Sequence, residues 1–165
     1  MLSNNSVRET RSVRMTNLFE AAEPASPLLP HLGVPEQELS FAAGLLGFPQ
    51  CIRYRLERFR PADGTVTPFF VLRCLDEDLS FPIIHPGSLG IDYRLPTNPE
   101  WMSALGAASA AELVVLLIVT VRDRVEDTTV NLQGPLVINP ATRMGLQLVI
   151  EQYPLRHPML VQIEY

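Results

Sequence analysis

Fifteen prolines and nine glycines break this 165-residue chain into short pieces, and that punctuation limits its fold more than any motif does. Proline fixes φ and removes a backbone donor, while glycine turns the chain at no steric cost. Closely spaced copies of both stop helices from propagating. The pieces left between them are apolar runs of strand length, so the chain suits short strands and turns and not a helical bundle.

The length fits one domain with an added tail. A body of this size buries roughly two-thirds of its unfolded surface, enough for a core without disulfide or metal staples. Residues 1–35 differ from the rest. Ser, Asn, Arg and Glu dominate up to Thr16, and Pro24, Pro27, Pro30 and Pro35 follow at short intervals. They are expected to form a flexible, proline-rich extension, with residues 36–165 as the folded domain.

Within that domain a strand is expected into Phe41, then a tight turn through Gly44 and Gly47 capped by a buried Phe48. Residues 53–59 alternate until Phe59 breaks parity, which predicts a bulge near Glu57 and Arg58. Asp63-Gly64 turns the chain into a strand over 69–75, interrupted only by Arg73 and so expected to be buried on both faces. Segment 79–85 contains Pro82, whose missing donor predicts an edge or bulged strand. A short strand is expected over 91–95. One helix follows, with Thr97 or Asn98 as N-cap, Pro99 in its first turn, Trp101 and Leu105 on one face, and Gly106 ending it.

Residues 113–121 form the clearest central strand, β-branched and apolar on both sides. A charged loop over 122–127 leads into 128–133, where Val130 and Leu132 alternate with Thr129, Asn131 and Gln133. Gly134-Pro135 breaks that ladder before 136–139 and bends the strand. A further strand is expected over 146–150, and residues 160–165 alternate again. About eight short strands and one short helix describe a mainly β fold, an antiparallel sheet curled into a barrel-like body.

The chemistry is sparse. A net charge of −5 with scattered arginines and no lysine argues against direct nucleic-acid binding, which rests on clustered cations. Cys51 and Cys74 lie in separate segments and make neither a disulfide framework nor a zinc motif. Buried free thiols fit a reducing cytoplasm. No signal-peptide core is legible, and the longest apolar run is far shorter than the ~20 residues that span a bilayer. His31, His85 and His157 stand apart from any nucleophile motif, and no metal or cofactor signature is present. The residues therefore read as non-enzymatic.

Binding is the stronger reading. The amides of Asn131, Asn139 and Gln147 can pair with a partner's backbone, or they can satisfy local turns. Arg143 can reach a partner carboxylate or stand solvated in its turn. Phe41, Phe48 and Phe81 can form a receptive apolar patch or belong to the core.

The segment from Asn131 to Asn139, with Arg143, Gly145 and Gln147, resembles the flagellar assembly factor (FliW) family. That family carries a pattern like Val-Asn-Leu-x-x-Pro-x-Val-Ile-Asn followed by Arg-x-Gly-x-Gln. The segments 41–48, 75–81 and 114–121 agree with it in order, as does the ending Tyr153-Pro-Leu-Arg156-His157-Pro158. His85 stands where the family tends to carry an acidic residue. The resemblance covers roughly residues 39–160 and implies a small cytoplasmic β-barrel protein that is not an enzyme. It further implies binding of flagellin near its C-terminal region and of the translational repressor CsrA, whose block on flagellin messages the freed factor lifts. Asn131, Asn139, Arg143, Gln147 and Arg156 are the expected contact residues, on a chain expected to be monomeric. Two other readings remain. One is a small β-barrel ligand-binding protein or enzyme with His85 or His157 in a pocket beside a carboxylate. The other is a self-associating structural subunit of the export apparatus.

Overall fold

The computed structural model describes residues 37–96 and 98–159. The expected extension over 1–35, Thr97 as an alternative N-cap and the alternating segment 160–165 lie outside the described residues.

Seven strands close into a barrel. They are β1 (Gln37–Phe41), β2 (Arg53–Arg58), β3 (Phe69–Cys74), β4 (Ser80–Ile84), β5 (Val114–Thr120), β7 (Leu136–Asn139) and β8 (Met144–Gln147). Their order is β4-β3-β2-β1-β8-β7-β5, and β5 pairs back onto β4. A ring with an odd number of strands cannot be antiparallel at every seam, so at least one pair must be parallel. That pair is β1 with β8, where Ser40 faces Met144 and Phe41 faces Gly145. Two short strands, β6 (Thr129–Val130) and β9 (His157–Pro158), extend the sheet beyond β5.

The alternation within each strand builds three apolar clusters. Leu39, Phe41, Leu56, Leu72, Leu116 and Ile138 fill the barrel interior. Leu117, Val119, Val130, Leu132 and Met159 form a second layer outside it. Trp101 and Leu105 pack with Leu113 and Val137 in a third. Burying each such side chain stabilises by roughly 1.5–3 kcal/mol relative to leaving it in water. β5 and β7 serve two clusters at once, which is why both are apolar on both faces. In β7 even the outward Val137 is buried, under the helix α1 (Pro99–Ala104).

α1 forms where proposed. The Asn98 side chain accepts from the Glu100 N–H at 2.9 Å, Pro99 occupies the first turn, and Gly106 follows with φ 68°. The alanine-rich stretch after it adds a 3-10 turn, Ala110–Glu112, with Ser109 and Glu112 forming a capping box.

Several expectations are corrected. β2 carries no bulge, because Leu56, Glu57 and Arg58 face Leu72, Val71 and Phe70 in unbroken register. Phe59 does not need one, being 46% exposed on the outward side. β3 is buried on one face only, with Phe69 and Val71 half-buried on the other. β4 is neither an edge nor bulged, since ring closure supplies a neighbour on each side. Pro82 faces Val71, and the β5 pairing covers only Ile83 and Ile84, so its missing donor leaves that ladder intact. The turn after β1 buries Leu45 fully but Phe48 only in part.

Residues 91–95 form no strand. Side chains hold them instead: the Tyr93 hydroxyl donates to the Leu132 carbonyl, and the Arg94 N–H donates to the Tyr153 hydroxyl at 3.0 Å. The two tyrosine rings stack with centroids 4.4 Å apart. The strand expected over 146–150 is shifted: β8 begins two residues earlier, at Met144, and ends at Gln147, so residues 148–150 form no strand.

Candidate functional site: an amide-clasped barrel rim

The bend expected at Gly134-Pro135 is a register break with a built polar centre. Val119 faces Val130, but Leu116 faces Leu136. Three steps along β5 thus correspond to six along the facing strand. The excess residues loop outward, and their backbone groups need partners. Asn131 supplies them, its Oδ1 accepting from Gln133 N at 3.0 Å and from Gly134 N at 2.9 Å. Gln147 closes the loop from β8. Its Nε2 donates to the Gly134 carbonyl at 3.0 Å, while its Oε1 accepts from the Leu46 N–H at 2.8 Å. A β-carbon on Gly134 would lie 2.9 Å from Gln147 Nε2 and 3.0 Å from Asn131 Nδ2. A side chain at this position would push against the two converging amides.

A second centre lies at the β7–β8 turn. Asn139 is 3% exposed. Its Nδ2 donates to the Leu105 carbonyl at 2.8 Å and its Oδ1 accepts from Ala141 N at 3.0 Å. The Thr142 hydroxyl donates to the same carbonyl at 3.1 Å. A turn between two strands thereby satisfies the C-terminal end of α1. The turn closes with Arg143, whose N–H donates to the Asn139 carbonyl at 2.8 Å and whose own carbonyl accepts from Ser40 N at 2.9 Å. Arg143 has φ 59°, and among the described residues it is the one non-glycine with positive φ. Such a conformation costs a side-chain-bearing residue roughly 1–2 kcal/mol. Its side chain is exposed and makes no ion pair with any described residue.

The structure therefore brings Asn131 to Gln147 and Asn139 to Arg143. Arg156, exposed just before β9, joins neither group through a hydrogen bond among the described residues. Sequence reasoning missed Leu46, which stands 59% exposed beside Gln147. The signal available for it was the Gly44 and Gly47 pair, which turns the chain there with φ of 67° and 86°.

The other reactive groups are committed elsewhere. His85 Nδ1 accepts from Gly87 N at 3.0 Å, capping a 3-10 turn, Pro86–Leu89, and burial lowers its pKa. His157 is half-buried on β9. Cys51 and Cys74 are both free and buried, and the fold brings together what the sequence keeps apart. A hydrogen bond with the Cys74 side chain, then burial, pushes the Cys51 thiol up to about 12. Among the described residues, no group of three His, Cys, Asp or Glu side chains could hold a metal ion. No helix among them is long and apolar enough to cross a membrane.

Fold and site together define a small closed β-barrel whose amides are turned inward to hold strand breaks, with arginines presented on its turns. Comparison with known proteins narrows that class. The model of the FliW protein family matches residues 32–160. A flagellar assembly factor FliW from Natranaerobius thermophilus is 35% identical over 138 residues, covering 79% of this chain and 89% of that protein. One from Azoarcus sp. is 36% identical over 123 residues, covering 71% and 82%. A crystal structure of the flagellar assembly factor FliW superposes with a TM-score of 0.66 at 27% identity, covering 76% of this chain and 86% of that one. The chain belongs to the FliW family of flagellar assembly factors.

Proposed function

We propose that this protein works by docking, binding flagellin near its C-terminal region and, when flagellin is exported, the translational repressor CsrA. Flagellin synthesis would thereby be coupled to export in the cytoplasm, with the protein acting as a monomer that exchanges partners. Exchange of this kind needs two affinities that differ between free and occupied states, and no reactive group.

One observation supports a docking role above others. Arg143 is held at positive φ, by backbone bonds to Asn139 and Ser40, with its guanidinium in solvent. A strained residue on an overdetermined turn is a common way to fix a recognition group, and arginine is a favoured interface anchor. Arg156 is the second proposed contact. Asn131 and Gln147 shape the neighbouring rim, and Asn139 sets the turn that presents Arg143.

Titration calorimetry of the full chain with flagellin and with CsrA tests the reading. Binding of both is expected, with Arg143→Ala weakening at least one by tenfold or more. Absence of heat with either partner at high micromolar concentration overturns it.

A further inference from the structure

The hairpin joining β2 to β3 encloses a concavity of about 260 Å³, lined by Arg58, Phe59 and Arg60 and by residues 64–67 on the return. Local bonds shape it. Gly64 turns the chain with φ 79°. The Asp63 carboxylate accepts from Thr65 N at 2.9 Å, and the Thr67 hydroxyl donates to the Phe59 carbonyl at 3.3 Å.

Arg58 is the unusual member. Tyr54 and Leu56, at the same parity on β2, are fully buried in the barrel interior. Strand alternation therefore brings Arg58 to the barrel's mouth. Its guanidinium lies over the Phe70 ring, 5.4 Å from the centroid, which leaves the N–H donors on its edge unused. Arg60 is exposed, and neither arginine makes an ion pair with a described residue. Acids outnumber arginines 18 to 13 in this chain, yet the two nearest in sequence are engaged elsewhere. Asp63 turns to Thr65, and Glu57 pairs with Arg73 at 3.3 Å.

Two positive charges that share a concavity and lack an internal counter-charge are complementary to a carboxylate, which guanidinium binds through parallel hydrogen bonds. Phe59 and Val66 stand exposed beside the arginines, Val66 at 72%. A bare ion makes no use of them, whereas a peptide with an apolar residue next to its acid does. The position in the ring agrees. β1 runs antiparallel to β2 and parallel to β8, so this hairpin and the turn that presents Arg143 leave the barrel at the same end.

We propose that the β2–β3 hairpin is a second docking point, at which Arg58 and Arg60 take an acidic side chain from a peptide segment of a partner protein. Phe59 and Val66 pack on the apolar residue beside that acid. The proposal goes beyond the docking of flagellin and CsrA at Arg143 and does not depend on either being the partner.

NMR of the full chain tests it, through the arginine Nε–Hε signals and the Gly64 and Val66 amides. The probes are acetyl-Leu-Glu-Asp-Leu-amide, its neutral counterpart acetyl-Leu-Gln-Asn-Leu-amide, and inorganic phosphate. The acidic peptide is expected to shift Arg58 and Arg60 saturably at millimolar concentration, with the neutral one at least fivefold weaker. Arg60→Gln, at an exposed position, should weaken the acidic peptide at least threefold, and Arg58→Gln with Arg60→Gln should abolish its effect on both amides. No saturable shift with the acidic peptide overturns the proposal, as do equal shifts with both peptides or phosphate binding as tightly. Nuclear Overhauser contacts from either Hε to Glu20, Glu23 or Glu36 overturn it too, because the occupant is then the chain itself.

Discussion

The ring of Phe41 occupies the space that a β-carbon on Gly145 would need, and these two residues face each other across the parallel β1–β8 seam. Phe41 is fully buried in the barrel core. The seam that closes the ring is thus also where a large ring and an absent side chain interlock. Gly145→Ala is expected to destabilise the fold by about 1–3 kcal/mol, the range for overpacking a core. Urea denaturation measures it, and an unchanged midpoint would show that the ring moves aside freely.

Asn139 ties α1 to the barrel through one buried amide. Asn139→Asp keeps the shape but replaces the donor facing the Leu105 carbonyl with an acceptor. A loss of about 1–3 kcal/mol is expected, the cost of leaving a buried polar group unsatisfied. Hydrogen exchange should show the loss concentrated in residues 99–106; a uniform change across the barrel would contradict the tie.

Arg143 should give opposite signs in two assays. Arg143→Gly relieves the left-handed backbone, so stability should rise by up to ~1 kcal/mol. Affinity for flagellin or CsrA should fall by tenfold or more under the docking reading. A variant losing both stability and affinity would mark the residue as structural.

His85 carries an expected pH dependence. Burial lowers its folded pKa below the ordinary 6.5, so the unfolded chain takes up a proton first as pH falls. The stability contributed by its neutral form is therefore intact above pH ~6.5 and lost as pH falls through the folded pKa. Protonation also removes the acceptor that caps Gly87. The denaturation midpoint should drop more between pH 7 and pH 5 in the native protein than in His85→Asn, which keeps an acceptor without titrating. Equal drops would assign the pH dependence to other groups.

Much of the framework was legible from local chemistry. Asn98-Pro99-Glu100 marked α1 and Gly134-Pro135 marked the bend. Val130 and Leu132 are buried as their alternation suggests, but in the layer outside the barrel, and of the strand expected over 128–133 only Thr129 and Val130 are regular. The errors have a shared cause. Pro82 looked like an edge because an open sheet has edges, whereas the closed ring gives β4 two neighbours. Residues 91–95 looked like a strand because Ile91, Tyr93 and Leu95 alternate with Asp92 and Arg94, but two tyrosine hydroxyls took the place of a pairing strand.

The sequence by itself determined where the backbone could be regular and which face of each piece sought a core, since φ restriction, missing donors and periodicity act over a few residues. Only the tertiary structure decided that seven strands close and that their odd number forces a parallel pair, found at β1 and β8. It also decided that Asn139 reaches the Leu105 carbonyl and Gln147 the Leu46 N–H, whereas Asn131 satisfies a local turn at Gln133 and Gly134. Those outcomes depend on which distant carbonyl or amide ends up within 3 Å of a side chain. That distance belongs to the closed ring as a whole and to no local stretch of the chain.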